Sequence, residues 1–530
     1  MAQLINITVK KGTAMSKLII TIGGTGARCG SAAAFALAAN MFSGSGKIGI
    51  MPVDKDAGNG TSRTFNDYIS NTYAGIVNAL GKDNPDRPFA RFDLVLETNW
   101  KLDSLLDRGT GVSDTLRDYC TDLSQRFLPL FYTEAEQSMN LRDGFKRHPN
   151  IGALVFEAVK NDPAFNQAID KVLQEASGGT AEIFIMGSIF GGTGASMFLN
   201  LAEYIRRRAQ KNECSRHTRI GGALMLPYFK IPLAPSDVRR TGDYVSDEDL
   251  DEATQTALQY YKSIPNLVRH GNKDGCEPGS AIFDALYLIG LNPHCATRHD
   301  EDEHPPVYAE GGSGQESECC VVDFMAASAL CHFFDASEKE QKSETDTPLY
   351  VQPGTPDQNL YTLLFSDSKS EELQKIGWEN LPPNAKPMQT LFRFAVYICG
   401  YLYPDYRNAD NKRHSLYFKL QNKQQSADML EGIYQFCFRF LEFFLPVAAT
   451  RAGGDTICEL ADIGALKRLL DFCQKANYDD EAVGTVISNT FPQPLPVDSR
   501  EITSKLIGAK KSIADEKELI AKVYALCSRE

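Results

Sequence analysis

The chain has 530 residues, of which 43% are hydrophobic, and this composition excludes a disordered or collagen-like protein. The formal net charge is −13, so we expect no direct binding of nucleic acid, which requires clustered lysine and arginine. No long run of uncharged apolar residues occurs, so we expect no membrane span. The 13 cysteines are scattered, and the N-terminus lacks a leader pattern, so we expect reduced thiols and a cytoplasmic location.

The first half of the chain alternates short apolar runs with alanine-rich or amphipathic stretches. The apolar runs predict strands at Lys17–Ile22, Lys47–Val53, Glu182–Ser188, Ile220–Leu226 and Phe283–Leu291. The other stretches predict helices at Ser31–Met41 and Ala195–Arg208. Such alternation predicts an α/β fold with a largely parallel sheet that is covered by helices.

The second half of the chain becomes mostly helical after an acidic, glycine-containing loop and a polar linker. Predicted helices are Val321–Phe334, Met388–Tyr403, Ser426–Leu445, Cys458–Ala476 and Ile502–Leu526. We therefore predict three regions, which are an α/β domain at 15–295, a loop, core helix and linker at 296–348, and a mostly helical C-terminal domain at 349–530.

A glycine-rich turn follows the first predicted strand and precedes a helix. It contains Gly23, Gly24, Thr25, Gly26, Arg28 and Gly30. When a strand is followed by a glycine turn and then by the start of a helix, the backbone N–H groups of the turn point towards an anion such as phosphate. The turn alone also fits a tight turn without a ligand, or a dinucleotide-binding fold in which Asp54 contacts the ribose.

A second turn of the same kind follows the strand Glu182–Ser188. Its residues are Gly191, Gly192, Thr193, Gly194, Ala195 and Ser196. Two glycine turns at one sheet edge are suited to hold one phosphate chain from both sides, with Thr193 as a hydroxyl donor. A dinucleotide-binding fold does not require this second turn.

Two carboxylates, Asp54 and Asp56, follow the second predicted strand at alternate positions. If they face phosphates, they require a cation between them, and Mg²⁺ favours a shell of carboxylate, water and phosphate oxygens. We therefore predict both as Mg²⁺ ligands, mainly through water. The alternative is a solvated turn closed by an Asx-type hydrogen bond.

The second turn resembles the signature loop of the tubulin/FtsZ superfamily, Gly-Gly-Gly-Thr-Gly-Ser/Thr-Gly. Phe190, Ala195 and Ser196 depart from that pattern at three positions. The other matching segments follow in the order of the family and are Gly23–Gly30, Val53–Ala57, His148–Gly152, Ala223–Tyr228 and Phe283–Asn292. The segment Tyr308–Gly312 is most similar to bacterial tubulin-like proteins that are neither FtsZ nor true tubulins.

The resemblance implies GTP or GDP as ligand, with Mg²⁺, and further contact residues at the base and ribose. Asn292 corresponds to the residue that contacts guanine, although Asn before a proline also caps turns. Gln255 lies near a further ribose or base contact. Arg28 replaces a glutamine near the base, and it suits either a ligand contact or pairing with a surface carboxylate.

The family assembles head to tail into filaments, and a neighbouring subunit supplies an acidic loop that drives GTP hydrolysis. The corresponding Asn-x-Asp motif is not clear in this chain. Val322-Asp323-Phe324 is superficially similar but falls where the central helix is expected. The sequence therefore leaves open whether the chain hydrolyses GTP. The alternatives are a catalytically weak scaffold that binds protein partners through its C-terminal helices, for example in phage defence, and an NAD-binding oxidoreductase.

Overall fold

The computed structural model describes the greater part of the chain. The described residues are 15–97, 114–228, 247–269, 279–291, 295–296, 314, 317–338, 352–353, 360–364, 376–378, 385–404, 423–452, 455–475, 502, 504–506 and 515–528, apart from 57, 83, 85, 121–124, 143, 146–147 and 177.

An eight-stranded sheet forms the centre of the fold, in the order β3-β2-β1-β4-β5-β6-β9-β8. The strands of the described residues are β1 (Lys17–Ile22), β2 (Gly46–Val53), β3 (Phe92–Leu96), β4 (Ala181–Ser188), β5 (Thr218–Met225), β6 (Ala285–Gly290), β7 (Cys295–Ala296), β8 (Gln352–Pro353), β9 (Leu360–Leu364), β10 (Ile376–Gly377), β11 (Arg451–Ala452), β12 (Asp455–Thr456) and β13 (Cys458–Glu459). Neighbouring strands of the large sheet run parallel, except that β8 runs antiparallel to β9. The remaining short strands pair as β10-β13 and β12-β11-β7.

Helices cover both faces of this sheet and make up most of the C-terminal region. They are α1 (Gly23–Ala38), α2 (Gly60–Asp67), α3 (Ala74–Leu80), α4 (Leu128–Phe131), α5 (Glu134–Ser138), α6 (Pro149–Val159), α7 (Pro163–Glu175), α8 (Gly192–Lys211), α9 (Asp247–Ser263), α10 (Val321–Glu338), α11 (Lys386–Tyr397), α12 (Lys423–Ala448), α13 (Ile463–Lys475) and α14 (Glu516–Cys527). Short π-helical segments at Tyr68–Tyr73 and Ile398–Leu402 extend α2 and α11.

The period of two along each strand divides the apolar core into two layers. Ile19 of β1 contributes to the layer that contains α1, α10 and the C-terminal helices. Leu18 and Ile20 point to the opposite layer, which contains α6, α7 and α8. Because both faces are covered, the central strands are continuous apolar runs, as is usual for parallel sheets.

The predicted α/β class with a mostly helical C-terminal region is confirmed. The sheet nevertheless continues beyond the predicted boundary at 348, because Leu360–Leu364 pairs with β6. The domain limits themselves stay predictions.

Aromatic contacts join the C-terminal helices to the first half of the chain. The ring of Phe35 in α1 stacks on Phe443 in α12 with centroids 4.3 Å apart, and Phe89 stacks on Tyr524 in α14 at 5.1 Å. The two regions therefore share one apolar core. Among the described helices, none combines the length and the apolar character that crossing a membrane requires.

Candidate functional site: two glycine turns at the point where the sheet order reverses

The two glycine turns lie side by side at one edge of the sheet. They follow β1 and β4, which are parallel neighbours, and the strand order reverses between these two strands. A methyl group built on Gly23 would lie 3.5 Å from Cβ of Thr193 and 3.7 Å from the backbone nitrogen of Gly194. In open α/β sheets, ligands bind in the crevice at such a reversal, outside the carboxyl ends of the strands.

Close backbone packing explains why glycines occupy these turns. A Cβ at Gly26 would lie 2.7 Å from the carbonyl oxygen of Met186, and one at Gly194 would lie 2.7 Å from that of Ser188. Gly23 has a φ of +67°, a conformation that side chains disfavour. Each helix therefore starts within its turn, at Gly23 and Gly192, and α1 begins before the predicted Ser31.

Asp54 directly follows β2 and contacts the second turn. Its carboxylate accepts hydrogen bonds from Oγ of Ser62 at 2.7 Å and from Oγ1 of Thr193 at 3.4 Å. Burial raises the pKa of Asp54 to about 6, although the hydrogen bonds from Ser62 and from the amide of Asp56 oppose this shift. Within the part of the chain that the structure describes, no basic side chain forms an ion pair with Asp54.

Asp56 has a different environment from Asp54. It is buried, and its carboxylate accepts a hydrogen bond from the amide of Gly58 at 3.0 Å, which is the Asx-type turn considered as the alternative. A methyl group on Gly144 would lie 3.7 Å from Cβ of Asp56, so the carboxylate belongs to a packed loop. Its role as a Mg²⁺ ligand stays a prediction.

Between these aspartates, Lys55 is completely buried and was not singled out from the sequence. Its Nζ lies 2.6 Å from Oδ2 of Asp114, and Oδ1 of the same carboxylate accepts a hydrogen bond from the hydroxyl of Tyr119 at 3.1 Å. This ion pair anchors the loop that carries Asp54. The alternation of side chains past β2 was the available signal, because it places Lys55 opposite to Asp54 and Asp56.

The last residues of the second turn face a helix. The hydroxyl of Ser196 donates to the carbonyl oxygen of Thr193 at 3.0 Å, and a Cβ on Gly152 of α6 would lie 2.7 Å from Cβ of Ser196. Ala195 is half-buried, and its amide donates to the carbonyl oxygen of Gly191. Ser196 therefore packs α8 against α6, while the start of the turn borders the crevice.

Arg28 has buried partners in the layer beneath the first turn. Its Nη2 donates to the hydroxyl of Tyr228 at 2.7 Å, and its Nε lies 3.5 Å from Oδ2 of Asp323. Asp323 is completely buried in the first turn of α10, so it is neither a surface carboxylate nor an accessible acid. A ligand contact by Arg28 stays a prediction, and its observed contacts are structural.

The structure tests neither of the two predicted base and ribose contacts. Gln255 lies on α9 with an exposed side chain, and Asn292 lies outside the described residues, as does Tyr308–Gly312. Both contacts stay predictions. Within the described ranges, no group of three or more histidine, cysteine, aspartate or glutamate side chains is arranged to hold a metal ion. A single carboxylate site such as Asp54 is not excluded by this finding, because Mg²⁺ keeps several waters.

Comparison with known proteins gives one match. A family model described as tubulin-like matches residues 131–243, which include the second glycine turn, α6 and α8. Neither the curated proteins nor the solved structures give a significant match. The match supports a tubulin-like fold and agrees with the resemblance found in the sequence. It leaves the particular branch of the superfamily open.

Proposed function

We propose that the chain binds GTP or GDP in the crevice between the two glycine turns. The observation that carries this proposal is the proximity of Gly23 to Thr193 and Gly194, which would lie 3.5 and 3.7 Å from a Cβ built on Gly23, where the strand order reverses. The N–H groups at the starts of α1 and α8 are positioned to hold a phosphate chain from both sides. The strand order is shared with dinucleotide-binding folds, so the second turn is the feature that favours a nucleoside phosphate over NAD.

Mg²⁺ fits the oxygen donors of this crevice. Asp54, Thr193 and Ser62 offer a carboxylate and two hydroxyls, and burial raises the pKa of Asp54 to about 6. Asp54 would hold the ion directly or through water, with Thr193 beside it. When bound, Mg²⁺ neutralises phosphate charge that would otherwise repel the carboxylate.

We further propose that the protein assembles with itself through the face that carries the crevice. Leu130 and Phe131 of α4 are 71% and 74% exposed, and Phe127 just before them is 52% exposed. The next residue, Tyr132, donates from its hydroxyl to the carbonyl oxygen of Asn150 at the start of α6. Exposed apolar residues in such a cluster are typical of a protein contact surface. Head-to-tail stacking is what the tubulin-like resemblance implies for this face.

Hydrolysis of GTP that depends on assembly is the corresponding proposal for activity. Asp323 does not serve a neighbour as an acidic group, because it is buried and accepts hydrogen bonds from the amide of Cys320 and the hydroxyl of Tyr228. A slow GTPase or a scaffold that binds nucleotide without turnover fits this burial.

The central experiment is calorimetric titration of GTP into Gly192→Asp. We expect binding to be lost, because the substitution adds a side chain and a negative charge where backbone and phosphate meet. Gly178→Asp is the matched control, since Gly178 is exposed and a Cβ there has no atom within 4 Å. Unchanged affinity in Gly192→Asp would remove the second turn from the site.

A further inference from the structure

The start of α2 lies against both glycine turns. Asn59 caps this helix, and a Cβ built on Gly24 of the first turn would lie 3.5 Å from both Oδ1 and Nδ2 of Asn59. Oδ1 of Asn59 accepts a hydrogen bond from the amide of Ser62 at 3.0 Å. The hydroxyl of Ser62 donates to Oδ2 of Asp54 at 2.7 Å, and Oδ1 of Asp54 accepts from Oγ1 of Thr193 in the second turn at 3.4 Å. Observed contacts therefore lead from the first turn through α2 to the second.

Burial separates the groups that border the crevice from those behind them. Gly24 and Asp54 are half-buried, whereas Asn59 and Ser62 are only 3% and 9% exposed. The hydroxyl of Ser62 therefore approaches Asp54 from the interior of the protein. A hydroxyl in that place supports the carboxylate, and the carboxylate remains accessible to a ligand.

The two oxygens of Asp54 are held unequally. The bond from Ser62 to Oδ2 has the usual length for a hydroxyl donor, at 2.7 Å. The donors to Oδ1 are more distant, since the amide of Asp56 lies at 3.3 Å and the hydroxyl of Thr193 at 3.4 Å. Oδ2 is thus the restrained oxygen, and Oδ1 keeps the greater capacity to bind a further partner. Because a hydroxyl has no net charge, Ser62 orients the carboxylate without neutralising it.

The position of Ser62 does not depend on this bond alone. The amide of Ser62 is bound by Asn59, and the amide of Asn59 in turn donates to the carbonyl oxygen of Asp56 at 3.1 Å. Oγ1 of the neighbouring Thr61 accepts a hydrogen bond from the amide of Ser317 at 3.0 Å. The start of α2 should therefore stay in place when the hydroxyl of Ser62 is removed, so that only the restraint on Asp54 is lost.

We propose that Ser62 is a positioning residue of the nucleotide site, which holds Oδ2 of Asp54 and leaves Oδ1, beside Thr193, for the cation that accompanies the phosphates. This inference rests on the proposed binding of GTP with Mg²⁺. Ser62 touches neither the cation nor the nucleotide, and it acts through Asp54. Carboxylates that hold metal ions are commonly fixed by such hydrogen bonds, and loss of the supporting residue weakens metal binding by about 10- to 100-fold.

The test is calorimetric titration of GTP into Ser62→Ala and wild type, with saturating Mg²⁺ and with EDTA. We expect the variant to bind GTP about tenfold more weakly than wild type with Mg²⁺, because weaker binding of the ion lowers GTP affinity by the same factor. With EDTA, the two proteins should agree within about threefold. Ser70→Ala is the matched control, since Ser70 is an exposed serine in the π-helical segment that continues α2.

Two further variants separate positioning from packing. Ser62→Cys keeps the size of the side chain but offers only a weak donor, so it should show the same Mg²⁺-dependent loss as Ser62→Ala. It also takes the place of Ser62→Ala should that variant fail to fold. In the double variant Asp54→Asn/Ser62→Ala, the second substitution should cause no further loss, because the carboxylate through which Ser62 acts is already absent.

Each outcome bears on the role of Ser62. An equal loss of GTP affinity with Mg²⁺ and with EDTA would make Ser62 a general structural residue, and unchanged affinity in both would make its hydroxyl dispensable. Either result overturns the proposal. Wild-type protein that binds GTP equally well with Mg²⁺ and with EDTA would overturn the positioning role and leave nucleotide binding intact. Wild-type protein that binds no GTP would overturn the proposed function as well.

Discussion

Asp54 is the residue whose chemistry is most affected by its place in the fold. It lies beside the second glycine turn, accepts hydrogen bonds from two hydroxyls, and has its pKa raised to about 6 by burial. A carboxylate in this state gains from a cation. The neighbouring Lys55 does not supply one, because its Nζ is directed to Asp114.

We predict that Asp54→Asn stabilises the ligand-free protein at pH 7. The pKa of Asp54 in the folded chain is raised above the ordinary value of 3.8, so the folded state binds this proton more tightly than the unfolded state. The free energy of unfolding therefore falls as pH rises from about 4 through about 6. With EDTA present, the variant should melt on the order of 2 °C higher at pH 7 and equally at pH 4.

Mg²⁺ and GTP together should raise the melting temperature of Asp54→Asn by less than they raise that of wild type, since the carboxylate that holds the ion is absent. Asp86→Asn, at an exposed carboxylate, is the control. A variant that melts below wild type at pH 7 without ligand would show that the charged form of Asp54 is favourable, contrary to this account.

At the scale of the element, a buried polar network ties α1 to α10. Arg28 of α1 contacts both Asp323 of α10 and Tyr228, and the hydroxyl of Tyr228 donates to Oδ1 of Asp323 at 2.5 Å. Phe190 of the second glycine turn packs edge-on against Tyr228 with centroids 6.3 Å apart. The network therefore joins both turns to the helix that leads towards the C-terminal region.

We predict that Asp323→Ala lowers the free energy of unfolding by about 3–5 kcal/mol, because it leaves the guanidinium of Arg28 buried without its carboxylate. The double variant Arg28→Met/Asp323→Leu should recover most of this loss, because neither charge then remains buried. Denaturant unfolding curves of the single and the double variant measure both changes in the free energy of unfolding. Asp335→Ala, at the other end of the same helix, is the control. Equal loss in the single and double variants would mean that packing, and not the ion pair, stabilises this junction.

The helices and strands differ in how well the sequence alone predicts them. The strand Lys17–Ile22 was predicted with its exact bounds, because strands covered on both faces are unbroken apolar runs. Phe92–Leu96 was not predicted, because it is a short strand at the sheet edge and contains an aspartate. Leu360–Leu364 was placed in the helical region, since its pairing with β6 depends on contacts distant in the chain.

Some residues of the candidate site were likewise predicted from the sequence and others were not. The glycine turns and Asp54 were predicted, because local order along the chain places them at one sheet edge. The pair Lys55–Asp114 was not, because it joins residues whose proximity arises from tertiary folding. The interior position of Arg28 also depends on Asp323, a partner from a distant helix.

At the scale of the whole molecule, the exposed apolar cluster of Phe127, Leu130 and Phe131 is linked to the second glycine turn through α6. Tyr132 next to the cluster donates a hydrogen bond to the start of α6, and α6 packs against the first turns of α8. We predict that GTP turnover per protomer rises with protein concentration together with light scattering, because association favours the assembled state by mass action. Leu130→Ser/Phe131→Ser should keep GTP affinity but remove the scattering over the concentrations at which wild type assembles.

Tyr260→Ser provides the matched control for this pair, since Tyr260 is 62% exposed on α9, outside the cluster. Equal scattering by the double variant and wild type would place the self-contact elsewhere. Constant turnover per protomer without scattering would favour a nucleotide-binding scaffold over a filament.

The binding of one guanine nucleotide between two glycine turns is tested most directly by a competition titration on the purified wild-type chain. A fluorescent GTP analogue with Mg²⁺ serves as the probe, and GTP, ATP and NADH serve as competitors. The account predicts that the analogue binds at one site per chain, that GTP displaces it, and that a large excess of NADH does not. Displacement by NADH, or the absence of any binding of the analogue, would contradict it.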